Sequence, residues 1–255
     1  MTAKNSLKFI WLSANLFGYE VLKEVLRAGK IKISGVVTLS AKSKVKMYDG
    51  ISIKKWYELG IPVYEVEDIN SQEKLIEYLD PDFIIMAGWR QIINKSILDI
   101  PAKGFIGFHP SLLPKGRGPA PIINTILLDL KKSGVTMFYL GEGVDNGDII
   151  GQVVFDVKDN DYAQDIYEDA IKGAKELVNL LPLLNDNDAP RTRQEEKNAS
   201  YFPKRTLKDN EIYIDKDNAE DIYRKIRAFS RPYKGAFLNV RGKKIIIWEA
   251  QLENE

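Results

Sequence analysis

Residues Lys8–Leu39 read KFIWLSANLFGYEVLKEVLRAGKIKISGVVTL, and this stretch decides the fold class. Lys8–Ala14 is a short, nearly unbroken apolar run, the signature of a strand covered on both faces. A loop, Asn15–Gly18, follows it. Tyr19–Ala28 then sets Val21, Leu22, Val25 and Leu26 at helical spacing, and Gly29 suits a C-terminal cap. Ile33–Leu39 reads as a second strand. A strand, a helix and a strand in succession form a crossover unit, which implies parallel pairing and a right-handed connection.

The alternation continues outward from there. Helices are expected over Ser52–Leu59, Ser71–Leu79 (with a partial capping signal from Ser71), Ile93–Leu98, Pro119–Leu130 and Tyr162–Leu184. Strands are expected over Pro62–Val66, Asp82–Ala87 and Gly104–Phe108, and Gly134–Leu140 and Asp148–Val157 suit a hairpin-like pair. The sum is an α/β, Rossmann-like open and mostly parallel sheet with helices on both faces. Such sheets take ligands beyond the carboxyl ends of their strands, where Gly88–Ile92 and His109–Gly118 begin. The polar, proline-bearing segment 185–200 reads as a linker between a main domain, 1–184, and a small α+β piece, 201–255. That piece carries a helix, Ala219–Phe229, and strands Ala236–Val240 and Lys244–Glu249 joined at Arg241-Gly242. It is too short for a generous core of its own and is expected to pack on the main domain.

Composition narrows the function. The 255 residues hold 37 Lys and Arg against 36 Asp and Glu, without the basic surplus that wraps nucleic acid. There is no cysteine, so thiolate nucleophiles, disulfides and Cys-ligated zinc are excluded, in keeping with the cytoplasm. Apolar runs such as Ile122–Leu128 are too short to cross a bilayer, and the polar start, Met1–Lys8, has no secretory core. The single histidine, His109, rules out His-rich metal sites and fixes where any imidazole chemistry must occur. No metal is expected.

That histidine opens the informative stretch, Gly104–Gln152: GFIGFHPSLLPKGRGPAPIINTILLDLKKSGVTMFYLGEGVDNGDIIGQ. Pro110 and Pro114 stiffen the turn after it, and Gly116 and Gly118 let backbone come close to a ligand. Val144-Asp145-Asn146-Gly147-Asp148 follows downstream. Singly, each piece has an ordinary structural explanation: a strand-end histidine, a βα loop, an Asn-Gly turn. Together, His109-Pro110-Ser111-Leu112-Leu113-Pro114 and Val144–Asp148 resemble the 10-formyltetrahydrofolate-dependent formyltransferases, over roughly residues 8 to 184. Tyr201-Phe202-Pro203-Lys204-Arg205-Thr206, Ile222–Arg227 and Arg231-Pro232-Tyr233-Lys234-Gly235-Ala236-Phe237 resemble the tail of the nucleotide-sugar N-formyltransferases in particular.

The resemblance implies a fold, a reaction and a site. The formyl group would pass from N10 of N10-formyltetrahydrofolate to the amine of a UDP- or dTDP-linked amino-deoxy sugar, in lipopolysaccharide or other surface-glycan biosynthesis. His109 would stabilise the oxyanion and move protons, with Asp145 holding the imidazole or a water. The pterin would lie on Gln91, Ile92 and Ile93 and on Gly141, Gly143, Val144 and Asp145, with Trp89 as a flank or a packing residue. Arg117, Lys204 and Arg205 are candidate partners for the diphosphate, since cationic forks match phosphate oxygens. Tyr201 or Tyr233 would stack on the base or simply pack.

This sequence departs from the family pattern in two places. The family's Asn two residues before the His is Gly107 here, so Gln91, Asn94, Asn124, a backbone N–H or a water would have to take its part. An arginine that some relatives carry after Arg-Gly is replaced by Pro119. Methionyl-tRNA or another amine as acceptor, a non-catalytic folate or nucleotide-sugar binding protein, and a formate-releasing hydrolase stay open. The apolar hairpin Ala236–Glu249 leaves a homodimer open as well.

Overall fold

A computed structural model describes residues 7–45, 47–206 and 208–253. The polar start read at Met1–Lys8 falls mostly outside the described residues. A seven-stranded sheet runs in the order β3-β2-β1-β4-β5-β6-β7. The first five strands are parallel: β1 (Phe9–Leu12), β2 (Ile33–Leu39), β3 (Val63–Val66), β4 (Phe83–Ala87) and β5 (Gly104–His109). Then β6 (Lys132–Tyr139) and β7 (Ile149–Asp156) add antiparallel to their neighbours, as the expected hairpin. The strand order reverses between β1 and β4, which sets the ligand crevice beyond their carboxyl ends.

The period of two along each strand divides the core. Phe9, Trp11, Ile85, Ile106 and Phe108 face one large cluster. Ile10, Leu12, Ile84 and Phe105 face another on the opposite side. The first cluster is covered by α1 (Leu16–Ala28), α5 (Pro121–Leu127) and α6 (Ala163–Leu177). The second is covered by α3 (Glu73–Leu79) and α4 (Lys95–Leu98), while the short α2 (Ile53–Tyr57) tucks Trp56 into the first. Helix α1 starts where the Asn15 side chain accepts from the Gly18 N–H (3.1 Å) and ends at Gly29, whose φ of 62° turns the chain.

Helix ends differ from the expected ones: α1 already begins at Leu16, inside the expected loop Asn15–Gly18, because Asn15 caps it, and α2 and α4 are shorter than the expected Ser52–Leu59 and Ile93–Leu98. The helix expected to run to Leu184 stops at Leu177 and tightens into a 3₁₀ stretch, Val178–Leu184, that contains Pro182. Ser71 does not cap α3, because its hydroxyl donates to Asp68 O within a preceding 3₁₀ turn. Helix α5 begins only at Pro121, since Ala120 sits at φ 53°.

The terminal piece consists of α7 (Ala219–Phe229) and a hairpin, β8 (Ala236–Val240) and β9 (Lys243–Ile247). Arg241 and Gly242, both at positive φ, make the two-residue turn. Ala228 and Phe229 of α7 enter the main core cluster. The segment before it is tied down too: Thr192 pairs with Ile149 at the start of β7, and Gln194 is buried. Among the described residues, no helix is long and apolar enough to cross a membrane.

Candidate active site

His109 is the last residue of β5, on the same face of the sheet as Phe105 and Gly107 and opposite Thr136 of β6. The chain beyond it folds back on itself. The Ser111 N–H donates to His109 O (2.8 Å), and the Thr136 hydroxyl donates to Ser111 O (2.7 Å) and accepts from the Leu113 N–H (3.1 Å). The Gln152 amide donates to Leu113 O and to the Thr136 hydroxyl, both at 2.8 Å. These bonds carry the loop round until Gly116 O stands 2.8 Å from His109 Nε2. Gly116 permits this because its φ is 73° and any Cβ there would meet the Phe202 ring at 2.4 Å.

A carbonyl oxygen only accepts, so the Gly116 contact assigns the neutral imidazole's proton to Nε2. The other nitrogen, Nδ1, lies 3.6 Å from Asp145 Oδ2. That carboxylate oxygen also accepts from the Gly118 N–H at 2.8 Å. A proton arriving at Nδ1 therefore sits between the ring and a fixed carboxylate, which is the arrangement a proton-transfer site needs.

Asp145 is itself held at φ 48°, in the left-handed region that short polar side chains tolerate. Its turn closes because Gly147 lets Tyr139 O approach where a Cβ would stand. The buried Gln194 then fastens the turn: its amide nitrogen donates to Asp145 O (2.8 Å) and Gly147 O (2.7 Å), while its oxygen accepts from Arg117 Nε (3.0 Å). Arg117 forks onto Glu196 (2.9 and 3.0 Å) and donates to the Tyr201 hydroxyl (3.0 Å). Burial works against the Arg117 charge, but the bonds to Glu196 and Tyr201 outweigh it and hold the guanidinium above its ordinary range. The same fork draws Glu196 below the usual carboxylate range.

The expected diphosphate partners are placed unequally. Arg117 is fully buried and turned to internal partners, so here it braces the loop between His109 and Asp145. Arg205 donates to Asn124 Oδ1 (2.7 Å) and lies 3.5 Å from Asp209, while Lys204 is exposed. Tyr201 is exposed and carries Arg117 against its ring. Tyr233 is half-buried.

The structure also explains the missing Asn. A Cβ at Gly107 would meet Leu140 Cδ1 at 2.6 Å and Phe138 Cε1 at 2.8 Å, so apolar side chains fill the space a longer residue would need. Two of the three suggested stand-ins have their amides engaged elsewhere: Gln91 bonds Glu67 O and the Ile69 N–H, and Asn124 bonds three backbone carbonyls and Arg205, while Asn94 lies exposed just before α4.

Of the two expected pterin loops, Gln91–Ile93 follows β4 and Gly141–Asp145 follows β6. Ile92 and Val144 stand 85% and 56% exposed on them, apolar surface that a flat heterocycle could cover. Ile93 and Trp89 pack on the second core cluster. Sequence reading missed Thr136, Gln152, Gln194 and Ser200, whose hydroxyl accepts from the Gly116 N–H (3.0 Å). Nothing local marks them: they are polar residues on a strand or in a polar segment, and only the fold brings them under the loop.

Two family models match the chain. One, described as formyl transferase, covers residues 18–182, and the other, described as formyl transferase, C-terminal domain, covers 206–255. A methionyl-tRNA formyltransferase of Natranaerobius thermophilus is 32% identical over 204 residues, 79% of this chain and 65% of its own length. The chain thus spans less than two thirds of that relative. A methionyl-tRNA formyltransferase of Bacillus velezensis is 31% identical over 251 residues, 96% of this chain and 78% of its own length. Among solved structures, a sugar N-formyltransferase from a Shewanella species superposes with a TM-score of 0.75 at 18% identity, covering 97% of this chain and 99% of that one. WlaRD, a sugar 3N-formyl transferase solved in the presence of dTDP and 5-N-formyl-THF, superposes with a TM-score of 0.70 at 21% identity, covering 95% and 85%.

Proposed function

This chain belongs to the formyl transferase family, and on that premise we propose that it transfers a formyl group from N10-formyltetrahydrofolate to the amine of a UDP- or dTDP-linked amino-deoxy sugar, in the cytoplasm and for surface glycans. The observation that carries the reading is the pairing of the sole imidazole with Asp145 across 3.6 Å, at the edge of the crevice where the sheet order reverses.

The folate supplies the formyl carbon. The amine forms a C–N bond to it, the bond from that carbon to N10 breaks, and the proton the amine loses ends on N10. His109 Nδ1, open toward Asp145, takes the proton from the attacking nitrogen and returns it to the departing one. Asp145, fixed by the Gly118 N–H, steadies the charged ring between those two events. With Gly107 lacking a side chain, oxyanion stabilisation falls to the imidazole and to backbone N–H groups. The pterin is read by Gln91, Ile92 and Ile93 and by Gly141, Gly143, Val144 and Asp145, with the exposed Ile92 and Val144 covering its faces.

The full-length superposition on a sugar N-formyltransferase supports the sugar acceptor. The identity to methionyl-tRNA formyltransferases favours initiator methionyl-tRNA as the second reading. A panel of UDP- and dTDP-amino sugars with 10-formyltetrahydrofolate, read by mass for a gain of one formyl group, decides between them. Transfer to methionyl-tRNA alone refutes the sugar acceptor. Folate binding with no transfer to any amine refutes the enzyme.

A further inference from the structure

Two cations distant in sequence converge on one aromatic ring at the mouth of the crevice. Arg90, just past β4, has Cζ 5.4 Å from the centre of the Tyr48 ring, and Lys234, before β8, has Nζ 4.8 Å from it. Both contacts fall within cation–π range, so the two charges lie within about 10 Å of one another. Tyr48 is 38% exposed and Lys234 is exposed, so a ligand can reach both.

Arg90 is aimed rather than loose. The buried Asp49 carboxylate accepts from Arg90 Nη2 (3.0 Å) on one oxygen, and from Asn15 Nδ2 (2.7 Å) and the Tyr167 hydroxyl (2.8 Å) on the other. The Tyr167 oxygen in turn accepts from the Phe17 N–H (2.9 Å). Asp49 is thereby saturated from inside and takes only one edge of the guanidinium. Arg90 Nε and Nη1 have no partner among the described residues, and Lys234 has no carboxylate within ion-pair distance among them.

Strand register gives the distance to the chemistry. Leu12 pairs with Met86, and Met86 pairs with Gly107. Asn15 follows β1, two strands from β5, and Arg90 follows β4, the strand beside β5, so across the sheet the cluster begins roughly 5–10 Å from the strand that ends at His109, at the usual strand spacing. One pyranose ring and its glycosidic oxygen bridge such a gap. Arg117 and Arg205 are turned to internal partners, whereas Arg90 gives only one edge of its guanidinium to Asp49 and Lys234 is exposed.

We propose that Arg90 and Lys234, disposed about the Tyr48 ring, grip the diphosphate of the formyl acceptor. This rests on the reading of that acceptor as a nucleotide-linked amino sugar. Calorimetric titration of the intact chain with UDP, dTDP and inorganic pyrophosphate tests it. Lys234→Gln is the decisive variant, because that side chain is exposed and makes no ion pair among the described residues. Arg90→Gln is the companion, and Lys204→Gln represents the rival site. Loss of one charge-assisted contact should weaken nucleotide binding ~10-fold or more, and the double variant further. Affinity for 5-formyltetrahydrofolate should hold in Lys234→Gln. Wild-type binding of UDP or dTDP that Lys234→Gln leaves unchanged, or a loss confined to Lys204→Gln, overturns the proposal while the acceptor reading stands. If the wild type binds neither nucleotide nor pyrophosphate, the proposal and the acceptor reading fall together.

Discussion

Gln194→Met isolates the fastening that sets Asp145. Methionine matches glutamine in length and volume, so the change removes hydrogen bonds without leaving a cavity. It strips partners from Asp145 O, Gly147 O and the Nε–H of Arg117. A buried group left unpaired costs about 1–3 kcal/mol, and at the lower end, since the Asp145 turn is partly open to water, the three sum to about 3 kcal/mol. Against a typical total of about 5–15 kcal/mol this is a large fraction. For a chain of this size it should lower the melting temperature by about 6–12 °C. Catalysis should suffer as well, because Asp145 sits at φ 48° and its carbonyl is held by Gln194. A shift of about 1 Å at a positioning group can reduce turnover ~10²-fold. Thermal unfolding followed by circular dichroism, beside kcat and KM for formyl transfer, measures both effects. Gln194→Glu keeps the acceptor for Arg117 but turns an oxygen toward two carbonyl oxygens, so kcat should fall in that variant too. A Met variant that melts within about 2 °C of the wild type with unchanged kcat refutes the reasoning. A stability loss with intact kcat would leave Gln194 a packing residue only.

Other consequences can be checked in the same system. His109→Asn should lower kcat ~10²–10⁴-fold while folate binding persists; activity near wild type would remove the imidazole from the mechanism. Gly107→Asn should not restore a family-like site, because its Cβ runs into Leu140 and Phe138; overpacking of this kind costs about 1–3 kcal/mol, visible as a lower melting temperature that Leu140→Ala partly relieves. Tyr167 and Tyr233 are both held above the ordinary tyrosine value of 10.0, by burial first and by the Asp49 carboxylate next. The folded chain keeps protons there that the unfolded chain releases, so the contribution to stability is complete below pH 10. It declines above that by up to about 1.4 kcal/mol per pH unit per group. Urea midpoints should therefore fall between about pH 9 and pH 11, less steeply in Tyr167→Phe; equal midpoints would contradict the burial argument.

The layered sheet and the address of the chemistry are legible in the chain alone. The apolar runs at Lys8–Ala14 and Asp82–Ala87, separated by helical spacing, admit little but parallel crossovers, because hydrophobic period is a local property that any window of the chain displays. A single histidine leaves no choice of imidazole, and the glycine turn after Asp145 is legible as a turn. Helix ends are less legible: Pro182 and the positive φ of Ala120 shift boundaries that periodicity alone cannot place.

Which polar groups meet is settled only when the layers stack. Gln194 lies 49 residues from Asp145, and Tyr167 lies 118 from Asp49. No spacing rule connects such pairs, since their contact depends on the packing of whole helices against the sheet. The same is true of Arg117. In the sequence it is a cation between two glycines, and in the fold it is a buried brace whose charge Glu196 answers from a segment that reads as linker. A side chain's type can be read locally; whether its charge faces solvent or protein is set by its neighbours in space, which the chain acquires only on folding.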